Sequence, residues 1–313
     1  MVDINHDLYP TRTRQPVPAF GRPDAIVHGT AGQGPLSAEQ LEQYEQNGFL
    51  FFNGWLDAAT AETLRAELHR LSDNCIAHGS DGVITEPGSE EVRSVFAVHR
   101  RSDEFNRLCR HPRLLDMARQ ILGSDVYVHQ SRINYKPGFR GNGFNWHSDF
   151  ETWHAEDGLP YMRTVSMSII LTDNHAFNGP LMLIPGSHRT FFPCTGETPD
   201  DHYRASLRQQ ELGVPDEHNL AWVIRKYGIR TPTGPAGSLL VFDCNTLHGS
   251  TANMSPDPRS NVFFVYNSVN NTPRKPYGAR QPRPAFLGER EDFSPLTDRS
   301  TAIRRSPETP VQH

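Results

Sequence analysis

The sequence predicts a mainly β fold, an antiparallel sandwich or double-stranded β-helix (jelly roll, cupin-like), with flanking helices. Three observations lead there. Apolar residues recur at the helical period up to Gly123 and shift towards strict alternation beyond it. The later apolar runs are short and are punctuated by Gly and Pro clusters. No helix alternates regularly with those runs, which argues against a doubly wound parallel sheet.

Taken in order, residues 1–35 are rich in Pro, Gly and Arg without periodicity, and read as an irregular arm lying on the surface. Residues 36–123 read as a mainly helical support. Ser37-Ala-Glu-Gln40 has the pattern of a capping box, with Leu41 and Tyr44 on one face of the helix that follows. Asp57 is placed to cap a longer helix lined by Leu64, Leu68 and Leu71 and ended by Gly79. Leu114, Leu115, Ala118, Ile121 and Leu122 mark a further helix, for which Gly123 is a C-cap. Residues 124–270 form the β core. Val126, Val128 and Gln130 begin a strand that reaches Tyr135. Further strands are expected over 164–171, 181–184, 238–242 and 261–269. The polar stretch 193–219 reads as an insertion or lid near one mouth of the barrel, and residues 271–313 as an irregular Pro/Arg-rich tail. One domain is expected to span residues 1–313.

Composition narrows the class of function. The chain has 313 residues, a formal net charge of -5 and a pI near 6.3, with both signs interspersed. No run of Lys and Arg supplies the basic stripe of a nucleic-acid binder. The four cysteines, Cys75, Cys109, Cys194 and Cys244, are scattered and form no C-x-x-C pair, which predicts free thiols in a reducing compartment. The first residues lack the charged and apolar regions of a signal peptide, and no apolar run approaches the roughly 20 residues of a membrane span. A cytoplasmic protein is expected, with no membrane partner.

The chemistry starts at His147-Ser148-Asp149. Two histidines and one carboxylate can occupy one face of a non-heme iron(II) ion and leave positions open for other ligands. Residues i and i+2 of a strand project to one side, so His147 and Asp149 could reach one ion. His248, just after the apolar run Leu239-Leu-Val-Phe242, is the candidate third ligand. The triplet alone says little, because a chain with 15 His and 36 Asp and Glu contains about two His-x-acid triplets by chance, and His154-Ala-Glu156 is another. Its surroundings say more. Trp146 and Trp153 bracket it, and Arg259, at the onset of the next strand, could grip the far carboxylate of a dicarboxylic acid with two parallel hydrogen bonds.

Taken together, Asn145-Trp-His-Ser-Asp-Phe-Glu-Thr-Trp-His-Ala-Glu-Asp-Gly158 resembles the signature segment of ectoine hydroxylases, a branch of the phytanoyl-CoA dioxygenase-like superfamily. The resemblance extends to Gln130-Ser-Arg-Ile-Asn-Tyr-Lys136, Pro185-Gly-Ser-His188, Asn245-Thr-Leu-His-Gly-Ser250 and Asn261-Val-Phe-Phe264, and so covers most of the chain. It implies Fe(2+) held by His147, Asp149 and His248. It places Lys136, Ser250 and Arg259 on the cosubstrate 2-oxoglutarate, and Gln130 and Trp153 on ectoine, with Phe242 and Phe263 as further walls. O2 would be the second cosubstrate, and the implied activity is hydroxylation of ectoine to 5-hydroxyectoine with release of succinate and CO2, in compatible-solute synthesis and stress response. The family tendency implies a homodimer. A carboxylate at 149 implies hydroxylation rather than halogenation, and His154 and Glu156 are not ligands in the family.

Other readings stand beside this one at the level of sequence. They are a related oxygenase acting on another small amino acid or an acyl thioester, a metal-binding jelly roll without catalysis, and a zinc site.

Overall fold

The computed structural model describes residues 7–298 apart from residue 209. The chain first forms β1 (Phe20–Gly21), α1 (Ala38–Asn47), β2 (Phe49–Phe52), α2 (Ala58–Ala77), β3 (Val83–Thr85), β4 (Val92–Phe96), α3 (Val98–Arg101), α4 (Asp103–Cys109) and α5 (Pro112–Leu122). The second half runs through β5 (Val126–Lys136), β6 (Phe144–His147), α6 (Asp149–Thr152), a π turn (Trp153–Asp157), β7 (Thr164–Ile170), β8 (Leu181–Leu183) and β9 (Thr190–Phe191). It ends with α7 (Tyr203–Ser206), α8 (Glu217–Tyr227), β10 (Leu239–Asp243), β11 (His248–Ser250) and β12 (Arg259–Ser268).

The helix signals in the sequence have their expected causes. Ser37 and Gln40 close a capping box on α1, Asp57 accepts from Thr60 N at the start of α2, and Gly123 takes a left-handed φ of 59° after α5. Helix α8 was not foreseen in the sequence. Asp216 caps it at the end of the polar stretch, and Leu220, Val223, Ile224 and Tyr227 lie at helical spacing just beyond it.

A seven-stranded antiparallel sheet in the order β2-β10-β7-β12-β5-β4-β3 faces a three-stranded sheet in the order β6-β11-β8. The expected helical support thus also supplies three strands, β2, β3 and β4, to the large sheet. Alternation sorts the side chains of β12 and β7. Val262, Phe264 and Tyr266, with Val165, Met167 and Ile169, pack against Leu114, Leu115, Ala118 and Ile121 of α5. Phe263 faces the other way, between the sheets, with Leu183, Leu240 and Phe242.

Strand β5 corrects the simple alternating reading of Val126, Val128 and Gln130. Val265 pairs with Gln130 but Tyr266 pairs with Val128, so His129 has no counterpart and forms a β-bulge. The extra residue reverses the parity. Val126 and Val128 face the helices, as do Ile133 and Tyr135, while Gln130, Arg132, Asn134 and Lys136 are turned into the space between the sheets.

The N-terminal arm departs from the expected surface drape. Tyr9 is wholly buried and donates from its hydroxyl to Asp24 at 2.6 Å. Arg12 is also buried and pairs with Glu151 through Nε at 2.6 Å and Nη2 at 2.8 Å, with Thr11 Oγ1 on the same carboxylate. Breaking such a pair leaves an uncompensated buried charge and costs about 3–5 kcal/mol, so the arm is part of the packed interior. All four cysteines are free and buried.

Candidate active site

The small sheet sets the metal-type cluster. His147 ends β6 and His248 begins β11, and the two are direct cross-strand partners with ring centroids 4.3 Å apart. Asp149 reaches the same point by a different route from the one expected. It is not the second residue of a strand pair but the first residue of α6, after Ser148 caps that helix by accepting from Glu151 N. The strand stops at His147, and the turn into the helix swings Asp149 back under it. One potential ligand atom from each of the three residues lies within 4.8 Å of the others.

Hydrogen bonds fix the state of both imidazoles. His147 Nδ1 lies 2.8 Å from Asn145 O, and His248 Nδ1 lies 3.0 Å from Thr246 O. A carbonyl can only accept, so each Nδ1 carries the proton and each Nε2 turns a lone pair towards the cluster. Burial, then the neighbouring His248, pushes the His147 pKa down to about 3, and burial lowers that of His248. Both rings are neutral. Burial works to raise the Asp149 pKa, but His248, Arg132 and His147 outweigh it, so the carboxylate stays ionised. Its Oδ2 is buried without a hydrogen-bond partner among the described residues. Two neutral imidazoles and a carboxylate with an orphaned oxygen make a donor set that fits a divalent cation, with room on the cavity side for further ligands.

Beside this cluster the cavity is lined by buried basic side chains. Lys136 and Arg259 are register partners on β5 and β12. Lys136 Nζ donates to Ser250 Oγ at 2.9 Å and to Thr251 O, while Arg259 Nε has no partner among the described residues. Arg93, on the adjoining strand β4, is balanced by Glu86 at 2.9 and 3.0 Å. Burial first, then Arg259 and Arg93, pushes Lys136 down to about 6, and burial with Arg93 pushes Arg259 down to about 10. Arg259 stays charged, and a buried charge without a carboxylate partner is costly unless an anion joins it; a docked carboxylate would also favour the ammonium form of Lys136. The pocket is built for a carboxylate.

The other candidates are placed as follows. Gln130 lines the cavity, with Nε2 donating to Leu287 O at 2.6 Å and Oε1 accepting from Arg132. Trp153, the first residue of the π turn, is buried in the cavity wall, edge-on to His129 at 5.6 Å. Phe263 lines the cavity under the Arg132 guanidinium, 4.6 Å from its ring centroid. Phe242 does not line it. Its ring packs behind His248 at 5.1 Å, because Phe242 belongs to the cluster beneath that ligand. His154 and Glu156 face away from the cluster, His154 towards Leu159 O and Asp7, and Glu156 towards His202 and Arg12.

Sequence reasoning missed three guanidinium groups that line the same cavity, Arg93, Arg132 and Arg283. Arg132 could have been found from the alternation Gln130, Arg132, Asn134, Lys136. Arg283 lies in the tail and has no such signal. Ser206, Leu207 and Gln210 bring the 193–219 stretch onto the cavity, and Asn145 Nδ2 holds it by donating to Gln210 O at 2.8 Å.

Known proteins share both the sequence and the fold. The family model of phytanoyl-CoA dioxygenase matches residues 44–261. The ectoine dioxygenase of Halomonas elongata is 58% identical over 288 residues, covering 91% of this chain and 87% of that protein. The ectoine dioxygenase of Nocardia farcinica is 52% identical over 290 residues, covering 93% of this chain and 95% of its own. The crystal structure of EctD from S. alaskensis with 2-oxoglutarate and 5-hydroxyectoine superposes with a TM-score of 0.84 at 42% identity, covering 96% of this chain and 99% of that one. The form of that enzyme with bound Fe superposes with a TM-score of 0.83. With a matched family model over most of its length and a donor set suited to a metal-dependent oxygenase, the chain belongs to the phytanoyl-CoA dioxygenase family.

Proposed function

We propose that this protein is an iron(II)- and 2-oxoglutarate-dependent dioxygenase that hydroxylates ectoine to 5-hydroxyectoine, releasing succinate and CO2. The observation that carries the reading is the pairing of the His147, Asp149 and His248 cluster with two buried basic groups, Lys136 and Arg259, that have no acid of their own among the described residues. The relatives named ectoine dioxygenase supply the substrate. We further place the enzyme in the cytoplasm as a homodimer serving compatible-solute synthesis under stress, and read residues 1–313 as one domain.

Iron, when bound, supplies the activation of oxygen and the oxidative decarboxylation of 2-oxoglutarate. His147, Asp149 and His248 would hold it, the two imidazoles as neutral donors and Asp149 as the anionic one. Lys136, Ser250 and Arg259 would hold the far carboxylate of 2-oxoglutarate, Arg259 with its planar fork and Lys136 as a point charge. On the substrate side, Gln130 offers an amide, and Arg132 and Arg283 offer cationic donors suited to a carboxylate. Trp153 and Phe263 supply aromatic walls, and the face of Trp153 suits a delocalised cationic ring such as that of ectoine. The residues around this cavity orient the reacting carbon and keep bulk water out, which is the part of catalysis that positioning contributes.

The test is direct. Purified protein is incubated anaerobically with iron(II), 2-oxoglutarate and ectoine, then exposed to oxygen, and the products are weighed by mass spectrometry. Gain of one oxygen atom by ectoine with matching succinate is expected. Succinate formed with proline or an acyl thioester but not with ectoine would move the substrate elsewhere.

Trp153→Ala is expected to raise the ectoine KM by about 10-fold, on the scale of a lost cation–π platform and its packing, while the 2-oxoglutarate KM stays within about 2-fold. Steady-state kinetics with each substrate varied in turn checks this. Equal loss for both substrates would make Trp153 a packing residue only.

A further inference from the structure

The π turn Trp153–Asp157 presents two different ends to the site. Turns of this type cluster at functional positions because they re-aim side chains. Trp153 lines the cavity, whereas Asp157 is buried just behind its wall and is not among the lining residues.

The Asp157 carboxylate accepts three hydrogen bonds. Arg283 gives two, from Nε to Oδ1 at 2.8 Å and from Nη2 to Oδ2 at 2.6 Å. The third comes from His129, whose Nε2 lies 3.1 Å from Oδ2 and must carry the proton, since the ionised carboxylate can only accept. His129 is the bulge residue of β5, so the bulge that turns Gln130 into the cavity also sets the back support of Asp157. Asp157 is locked on its own side as well, since its backbone oxygen accepts from Arg290 Nη2.

Arg283 itself lines the cavity from a segment that is neither helix nor strand. No regular element fixes its backbone, and its long side chain has many rotamers to lose on ordering. The two parallel bonds to Asp157 are its only hydrogen bonds to a side chain among the described residues. They hold the planar fork in one orientation, with its remaining donors available to the cavity.

We propose that Asp157 is a positioning residue for the substrate: it never meets the substrate, and acts by fixing the guanidinium of Arg283 in the cavity wall. The inference rests on the reading of the cavity as an ectoine site. If it holds, Asp157 and Arg283 work as one unit. Loss of either should cost the same binding, and loss of both should cost no more than loss of Arg283.

A double-mutant cycle tests this on the full chain. Asp157→Ala, Arg283→Ala and the double variant are compared for ectoine KM, for 2-oxoglutarate KM, and for anaerobic calorimetric binding of ectoine to the iron- and 2-oxoglutarate-loaded protein. Each single variant is expected to weaken ectoine binding about 10-fold or more, the 2-oxoglutarate KM to stay within about 2-fold, and the double variant to match Arg283→Ala, because coupled residues are non-additive. Asp157→Asn, of equal size and keeping one acceptor, replaces Asp157→Ala if the latter does not fold. Multiplied losses in the double variant, or equal losses for both substrates, would overturn the positioning role. Wild-type protein that fails to bind ectoine would instead sink the substrate reading, so the two failures are separable.

Discussion

Asp149→Ala protein is expected to fold normally, to lose most of its bound iron and to lose activity by a factor on the order of 10³ or more. The reason lies in the charge of the cluster. His147 and His248 are neutral donors fixed by Asn145 O and Thr246 O, so Asp149 supplies the only negative charge among the three. Among the described residues its Oδ2 has no partner, so the buried carboxylate gives up no hydrogen bond at that oxygen when it takes a cation. Removing it leaves two imidazoles, which bind a divalent ion weakly and leave it poorly oriented. Among the described residues the side chain makes no hydrogen bond that braces other elements, so circular dichroism and thermal melting should stay near wild type. Iron stoichiometry and single-turnover succinate yield are the measurements. Normal iron content and turnover in this variant would move the metal elsewhere. In wild-type protein stripped with a chelator, iron(II) with ascorbate should restore turnover and zinc should not, since zinc has no redox chemistry.

The cluster was legible because its residues sit beside strong local signals. His147 and Asp149 lie inside a distinctive segment, and His248 follows an apolar strand. Strand alternation does not bring the pair together, because a helix cap at Ser148 intervenes between His147 and Asp149. The same limit shows on β5. Alternation identifies the strand, but a single bulge at His129 reverses which side chains face inwards, and nothing in the local pattern announces it. What stayed hidden depends on partners far along the chain. Arg12 can be buried only because Glu151 lies 139 residues away to receive it, and Arg283 finds Asp157 across 126 residues. Such pairs leave no period in the sequence, so the arm and tail read as irregular although both help to build the site. Sequence spacing reports local geometry well and long-range charge compensation hardly at all.

The largest effect on the cosubstrate should come from Arg259 and Lys136. Arg259→Ala is expected to raise the 2-oxoglutarate requirement about 100-fold, the scale for removing one partner of a buried charge pair. Arg259→Lys should recover little of it, because an ammonium cannot reproduce a bidentate fork. The pH dependence follows from Lys136. In the ligand-free protein burial, then Arg259 and Arg93, pushes its pKa down to about 6, so at neutral pH the amine is largely uncharged. A carboxylate docked beside it favours the ammonium and raises that pKa. The complex therefore holds a proton that the free protein lacks, and the state that binds more protons is favoured at low pH. Affinity for 2-oxoglutarate should thus be greatest below about pH 6 as far as this group is concerned. It should weaken as pH rises above that value, by up to about 10-fold per pH unit, until the pKa of the complex is passed. Calorimetry at pH 7.5 in two buffers of different ionisation enthalpy should register uptake of about one proton on binding. Lys136→Met should bind more weakly and show neither the uptake nor the slope. An affinity flat between pH 6.5 and 8.5 in the wild type would mean that Lys136 is already charged without its ligand, and that the pocket is less dry than its burial implies.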